Sequence, residues 1–322
     1  MKSHTSSIEA NRRDGLSRRD FVRVGLLGVA ATAVGSTLPG QTLAETPTPP
    51  TPAGGSTVWV FTNENKTKLM EAALKVISQN GGFGTGVKRM ALKVNAAWAR
   101  TPEQGANTHP ELVDAFLAGV KKAGITEIVL PEFSCAPAST TFKMSGIGAI
   151  ADKHGATLID LNKQRKEFVE VAIPGGKKLK SVKVARDFIA AGTVVVNMPV
   201  AKHHSGAQLS IAMKNWMGAI EDRGFWHRNN LHQCIADFAT FMKPAWTIVD
   251  ATRTLMDSGP QGPGTLKHPN QLIVSKDQIA ADAVASTLFT DSPDKIGYLR
   301  IAGEMGIGVT DLSRITVIRT TV

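Results

Sequence analysis

Cysteine is nearly absent from this chain: its 322 residues carry two, Cys135 and Cys234. They form no Cys-x-x-Cys pair, so no iron–sulfur cluster of the chain's own is expected. A disulfide and two buried thiols both stay open. Aromatic residues make up only 6% of the chain, with a single tyrosine, so the core must be aliphatic. There is no Gly-x-Ser-x-Gly elbow, no His-Glu-x-x-His and no Gly-x-Gly-x-x-Gly after the first strand. These absences disfavour ordinary serine hydrolases, zincins and nicotinamide dehydrogenases. The glycine–proline run at 259–264 lacks the Lys-Ser/Thr of a phosphate loop. The uncharged apolar run Val24 to Leu38 falls short of the ~20 residues that span a bilayer, so no stable membrane anchor is expected.

Negative charge is also scarce: 37 Lys and Arg stand against 27 Asp and Glu, a formal +10. Ser17-Arg18-Arg19-Asp20-Phe21-Val22 is a twin-arginine sequence. The apolar run follows it, and Thr42-Leu43-Ala44 offers a small-residue cleavage site. That order reads as an export signal over residues 1–44, recognised by the twin-arginine machinery, which carries folded proteins. The expected location is periplasmic or extracellular. Removing the signal takes away six basic and three acidic side chains and leaves about +7. The densest basic cluster, Lys177, Lys178, Lys180 and Lys183, reads as a solvated hairpin face. No aromatics interleave it, which argues against nucleic acid. The charge suits a small anionic molecule or an acidic partner.

Residues 45–56 are a proline- and threonine-rich linker, expected to be extended and disordered. From Thr57 to the end a single α/β domain is expected. Strands read at 58–61, 91–94, 125–130, 157–161, 193–196, 246–249, 271–274 and 314–319. Helices read at 66–79, 110–122, 209–220, 231–242 and from the Asp277 cap through Leu288. Alternation of apolar strands with helices implies a mostly parallel sheet with helices on both faces. Alternating residues around Pro174-Gly175-Gly176 add an antiparallel β-hairpin near 167–185.

In such sheets ligands bind beyond the carboxyl ends of strands. Polar residues follow several strands here: Asn95, Glu132, Asn197 and Asp250. The densest group is Pro199-Val200-Ala201-Lys202-His203-His204-Ser205-Gly206, read as a loop entering a helix from Ala207. Ser205 would cap that helix, Gly206 would admit a ligand, and Lys202 would add a charge. His204 would act as acid–base group or metal ligand, with His203 and His232 as further ligands. A capped helix with surface histidines fits the same residues. Lys214 and Asn215 are neighbours on a helix, so one of them should face a site. Asp282 lies in an alanine-rich helix and reads as a buried partner. Trp216 and Met217 read as core.

The ordered set Leu92-Lys93-Val94-Asn95, Thr108-His109-Pro110, Pro199-x-x-Lys202-x-His204, Lys214-Asn215-x-x-Gly218, His232 with Ile235-Ala236-Asp237, Val249-Asp250, Gly259-Pro260-x-Gly262 and Ser275-x-Asp277-x-x-Ala280-x-Asp282 resembles the family catalogued as domain of unknown function 362. The resemblance implies an α/β fold and an association with iron–sulfur chemistry. Many relatives carry a ferredoxin-like segment that is not found here. A fainter similarity joins His204-Ser205-Gly206 and the downstream lysine to the lactate racemase family, whose nickel-pincer cofactor is held by lysine and histidines. Together these readings give an expected enzyme of redox or isomerase type, dependent on a metal ion or organometallic cofactor. Lys202, His204, Lys214 and Asp250 would be catalytic; Asn95, Ser205, Gly206, Asn215, His232 and Asp282 would bind cofactor. The alternatives are a non-catalytic binding or maturation partner of a redox protein, and a purely structural role.

Overall fold

Apolar residues at alternate strand positions feed two separate cores, and that alternation builds the sheet. In the computed structural model, which describes residues 55–322, Met90, Leu92 and Val94 enter one core while Ala91 enters the other. Val194, Val196 and Met198 face the first core. Val249, Ala251 and Ile273 face the second. Each face is therefore covered, as parallel sheets require.

The first half of the described chain runs β1 (Thr57–Thr62), α1 (Lys66–Gln79), β2 (Arg89–Val94), α2 (Pro110–Lys122) and β3 (Glu127–Glu132). It continues through α3 (Ala138–Met144), α4 (Ile147–Lys153), β4 (Thr157–Asp160), β5 (Phe168–Ala172) and β6 (Ser181–Ala185). Next come β7 (Thr193–Met198), β8 (Val200–His204), β9 (Gln208–Ser210), α5 (Ala212–Asn215), α6 (Arg223–Arg228) and α7 (Leu231–Phe241). The last are β10 (Trp246–Leu255), β11 (Leu266–Lys267), β12 (Gln271–Ser275), α8 (Gln278–Ser286), α9 (Gly297–Glu304) and β13 (Thr316–Thr321).

The main path of the sheet is β13-β1-β12-β10-β7-β2-β3-β4. All its pairs are parallel except the two made by β12. The expected mostly parallel sheet is present, and β5 and β6 form the expected hairpin as a separate two-stranded sheet. Buried Asp237 of α7 fastens that hairpin by accepting from the N–H groups of Lys178 (2.6 Å) and Leu179 (2.8 Å).

Several local expectations change. No helix begins at Ala207: the chain turns at Ser205–Gly206 and returns as β9, antiparallel to β8. Only then come the short α5 and a 3₁₀ turn over Trp216–Ala219. The run Leu209 to Ile220 is too continuously apolar to distinguish strand from helix by period. β10 extends to ten wholly buried residues because β12 lines one edge while β7 and β8 share the other. Helices α3, α4, α6 and α9 were not foreseen from the pattern. The expected linker residue Ser56 is buried and donates to Asp277 at 2.6 Å. The export signal and the linker as far as residue 54 lie outside the described residues. Among the described residues no helix is long and apolar enough to cross a membrane.

One buried ion pair ties β10 to the segment after β2. Asp250 Oδ2 accepts from Arg253 Nη1 at 2.7 Å and from the His109 N–H at 2.9 Å. Its Oδ1 accepts from the Thr252 N–H (3.0 Å) and hydroxyl (2.6 Å). Arg253 continues to the carbonyls of Pro102 (2.7 Å) and Asn107 (2.9 Å). Burial alone would raise the Asp250 carboxyl, but Arg253 and Thr252 more than offset it and hold the group below its ordinary value. Its contribution to stability is complete above the unfolded value near 4 and fades as pH falls through the lower folded value. Asp250→Asn strands a buried guanidinium and should cost about 3–5 kcal/mol at neutral pH, read as a lowered urea midpoint. An unchanged midpoint would show that the pair does not hold this segment.

Candidate functional site

The order of strands places the site before any side chain is considered. From β2 the chain moves outward through β3 and β4, then crosses back to β7 on the other flank of β2. The chain leaves β2 and β7 towards opposite flanks of the sheet, and the crevice beyond their carboxyl ends is where open α/β sheets bind ligands. Register aligns Lys93 with Asn197 across that junction.

Asn215, brought in by α5, bridges the two strands. Its Nδ2 donates to Asn197 Oδ1 at 2.8 Å, and its Oδ1 accepts from Asn95 Nδ2 at 2.9 Å. Lys93 Nζ reaches Glu132 Oε2 at 2.8 Å, an ion pair sealed from solvent. Glu132 Oε2 also accepts from the Ala96 N–H at 3.0 Å. Gly218 is required here, because a Cβ at that position would fall on the Glu132 carboxylate. Asp282 of α8 fixes α5 by accepting from the N–H groups of Ala212 (2.7 Å) and Met213 (3.0 Å). Burial pushes its carboxyl up to about 8.

Two further lysines enter this region without a carboxylate partner. Lys202 Nζ, 1% exposed, donates to Asn95 Oδ1 at 3.0 Å and to the Ala106 carbonyl. Lys214, 7% exposed, contacts only the Met217 thioether at 3.1 Å, a weak acceptor. Burial, then the charge of Lys214, lowers Lys202 to about 7. Burial lowers Lys214 to about 8; the Cys135 sulfur works against the fall and Arg223 with it. Arg223 is itself fixed by the Phe133 carbonyl (2.7 Å) and by stacking 4.2 Å over the Phe133 ring.

His204 differs from its expected role. Its Nδ1 accepts from the N–H groups of Gly206 (3.0 Å) and Ala207 (3.1 Å), which leaves the ring proton on Nε2. Burial and the nearby Lys214 and Lys202 pull it down to about 2, so the ring is neutral at physiological pH. With Nδ1 occupied, the Nε2–H is the ring's remaining hydrogen-bonding group, a donor. His227 stacks on it, with ring centroids 6.4 Å apart.

The remaining expected site residues divide. Asn95, Lys202, Lys214 and Asn215 come together. Asp250, expected as a catalytic group, lies in the separate ion pair with Arg253, where four donors already occupy its oxygens. Asp282 is a strut. Ser205 and Gly206 form an exposed turn instead of a helix entrance, and a Cβ on Gly206 would meet only ordinary contacts. His203, His204 and His232 do not converge as metal ligands. Adjacent strand residues point to opposite faces: His203 Nδ1 accepts from the Gly259 N–H at 3.1 Å, away from His204. His232 stacks on Tyr298, with centroids 6.3 Å apart. Among the described residues no three His, Cys, Asp or Glu side chains gather as metal ligands. A bare cation would also be repelled by Lys202, Lys214 and Arg223. This donor set fits the anionic groups of a cofactor, not a metal ion held by the protein.

Lys93, Arg223, His227 and Cys135 are absent from the expected site, and Glu132 was read only as a polar residue after a strand. Lys93 did carry a signal: a charge inside an apolar strand must be paired. Cys135 and Cys234 are both free thiols.

The chain is similar to several known proteins. The chain is 22% identical over 259 residues to Thylakoid-associated protein sll1697 of Synechocystis sp., covering 75% of this chain and 76% of that protein. A solved structure of the lactate racemase apoprotein from Thermoanaerobacterium thermosaccharolyticum is 12% identical, with a TM-score of 0.43, over 68% of this chain and 54% of that one. A Thermotoga maritima protein of known structure is 10% identical, with a TM-score of 0.45, over 76% of this chain and 60% of that one. This chain thus spans little more than half the length of those two structures. The model of a domain of unknown function, DUF362, matches residues 90–287, and the chain belongs to that family.

Proposed function

We propose that the crevice between β2 and β7 binds a small anion of the carboxylate or phosphate class and that the protein is an enzyme acting on it. One observation carries the reading: Lys202 and Lys214 are buried ammonium groups with no carboxylate partner among the described residues. An unpaired buried charge is costly, and an anionic ligand offsets that cost. Lys202 and Lys214 sit near neutrality, so either can give or take a proton from the bound molecule. His204 Nε2–H and the Arg223 guanidinium then orient the anion. A cofactor enters this reading through its own anionic groups.

The proposal extends to location: the twin-arginine sequence supports export of the folded protein, with its ligand aboard, to the periplasm or beyond. A binding-only role, as carrier or maturation partner of a redox enzyme, is favoured by the locked Nδ1 of His204, which removes one expected base.

Calorimetry with phosphate, sulfate and small carboxylates tests the binding. Binding to the native chain is expected, with a loss of at least tenfold in Lys214→Met and in Lys202→Met. Failure of every anion to bind would refute the reading. Proton exchange at the α-carbon of a bound carboxylate in D2O separates the two roles: an enzyme shows it and a carrier does not.

Lys214→Met should also raise or preserve the thermal midpoint, because it removes a buried charge that no acidic group neutralises. A large fall would mean that the ammonium has a structural partner.

The pH dependence has a definite sign. Lys202 and Lys214 fall below the unfolded value near 10.4, so from about pH 7 upward the unfolded chain holds more protons. Asp282 acts oppositely, but only up to about pH 8. Stability measured by urea unfolding should therefore rise between about pH 8 and 9. In Lys214→Met the slope should shrink; a flat profile in the native chain would contradict the assignment of both lysines.

A further inference from the structure

The crevice holds an uneven stock of hydrogen-bonding groups, and most of its side-chain acceptors are already occupied. Asn95 Oδ1 accepts from Lys202, and Asn215 Oδ1 accepts from Asn95 and, at 3.4 Å, from Lys93. Asn197 Oδ1 accepts from Asn215, and His204 Nδ1 from two backbone N–H groups. Glu132 Oε2 accepts from Lys93 and from the Ala96 N–H. The exception is Glu132 Oε1, which accepts from no group among the described residues although Glu132 is only 1% exposed. Nor is Oε1 sealed. Among the described residues the sealed side-chain atoms without a partner are Thr141 Oγ1, Trp226 Nε1, His232 Nδ1, Thr247 Oγ1 and Tyr298 OH. Oε1 therefore borders space that a water-sized group can reach.

Donors, by contrast, are in surplus. Lys214 Nζ meets only the Met217 thioether, and Lys202 Nζ has a proton left after Asn95 and the Ala106 carbonyl. His204 Nε2–H is free as well. Lys93 has nothing left to offer, since Val94, Glu132 and Asn215 take its three protons. Chain geometry brings Oε1 close to the surplus donors. Ala96, which holds Oε2, directly follows Asn95, which holds Lys202. Gly218, which lies against Oε1, directly follows Met217, which Lys214 touches. The Phe133 N–H donates to the Gly218 carbonyl at 2.8 Å and fixes that turn at the end of β3.

Resting on the anion-binding reading of this crevice, we infer that its ligand is an oxyanion of the phosphate class that retains a hydroxyl, and that Glu132 Oε1 selects it by accepting from that hydroxyl. The cations take the charged oxygens and Oε1 takes the proton. Lys93 and the Ala96 N–H hold the other carboxylate oxygen, so Oε1 cannot turn aside. Sulfate has the same shape as phosphate but carries no proton at neutral pH. One of its oxygens would face a carboxylate oxygen, an unmade hydrogen bond between like charges.

Calorimetry on the native full chain at pH 7, with inorganic phosphate, arsenate and sulfate as probes, tests the selection. Phosphate and arsenate, which both keep a hydroxyl, should bind at least about tenfold more tightly than sulfate. In Glu132→Gln the phosphate-to-sulfate ratio should fall towards one, because the amide removes the charge and can turn a donor to sulfate. That variant leaves Lys93 buried without its partner. The double variant Lys93→Met, Glu132→Gln removes both charges together, guards against a folding defect and should lose the preference as well.

Sulfate binding as tightly as phosphate would overturn the selection, as would a preference that survives in both variants. Its failure is separable from failure of the anion-binding reading. Phosphate and sulfate of equal affinity, both weakened in Lys202→Met and Lys214→Met, leave the anion site and remove the selector. A preference that needs Glu132, in a protein whose affinities are unchanged in both lysine variants, supports the selector and removes the role given to the lysines.

Discussion

The Lys93–Glu132 ion pair decides the character of the crevice. It is sealed from solvent, and Glu132 is the carboxylate that reaches into this basin. Because Lys93 already neutralises it, the charges of Lys202, Lys214 and Arg223 have no internal counterweight. A buried pair of this kind is weak support for stability. Its larger effect is to cancel the acidic group at this strand end and leave the surplus positive. The Asn215 bridge then sets how the surplus is arranged, since it fixes β2, β7 and α5 in one network.

Rigid parts surround that network. Asp282 holds the start of α5, Arg253 and Asp250 hold the segment that covers Lys202, and Gly218 leaves room for the ion pair. These residues touch no ligand in the reading developed above, but they prevent the lysines from relaxing outward into water. A buried amine keeps its depressed proton affinity only while its surroundings stay dry. Confinement and reactivity are therefore linked through the same hydrogen bonds.

Much of the architecture was legible in the sequence because apolar strands and amphipathic helices carry distinct periods. Asn95, Lys202, Lys214 and Asn215 were legible as polar residues at strand ends or beside them. Asp250 had the same appearance but is paired elsewhere, because its partner Arg253 lies only three residues on within the same strand. Lys93 was obscured by its place inside an apolar strand, and His227 by its distance along the chain from His204. The helix expected from Ala207 was lost because a continuous apolar run has no period. What sequence could not supply was direction: which face of β8 each histidine takes, and which nitrogen of His204 is already occupied.

The alternation along β8 makes the crevice depend on parity. Lys202 and His204 look one way and His203 the other, fixed by antiparallel pairing of His203 with Leu209 and of Lys202 with Ser210. A slip of one residue in that ladder would exchange the two sets and turn a cationic wall into a neutral one. The short β9, which holds no proposed catalytic group, thereby acts as the ruler that tells the chain which of its side chains to present.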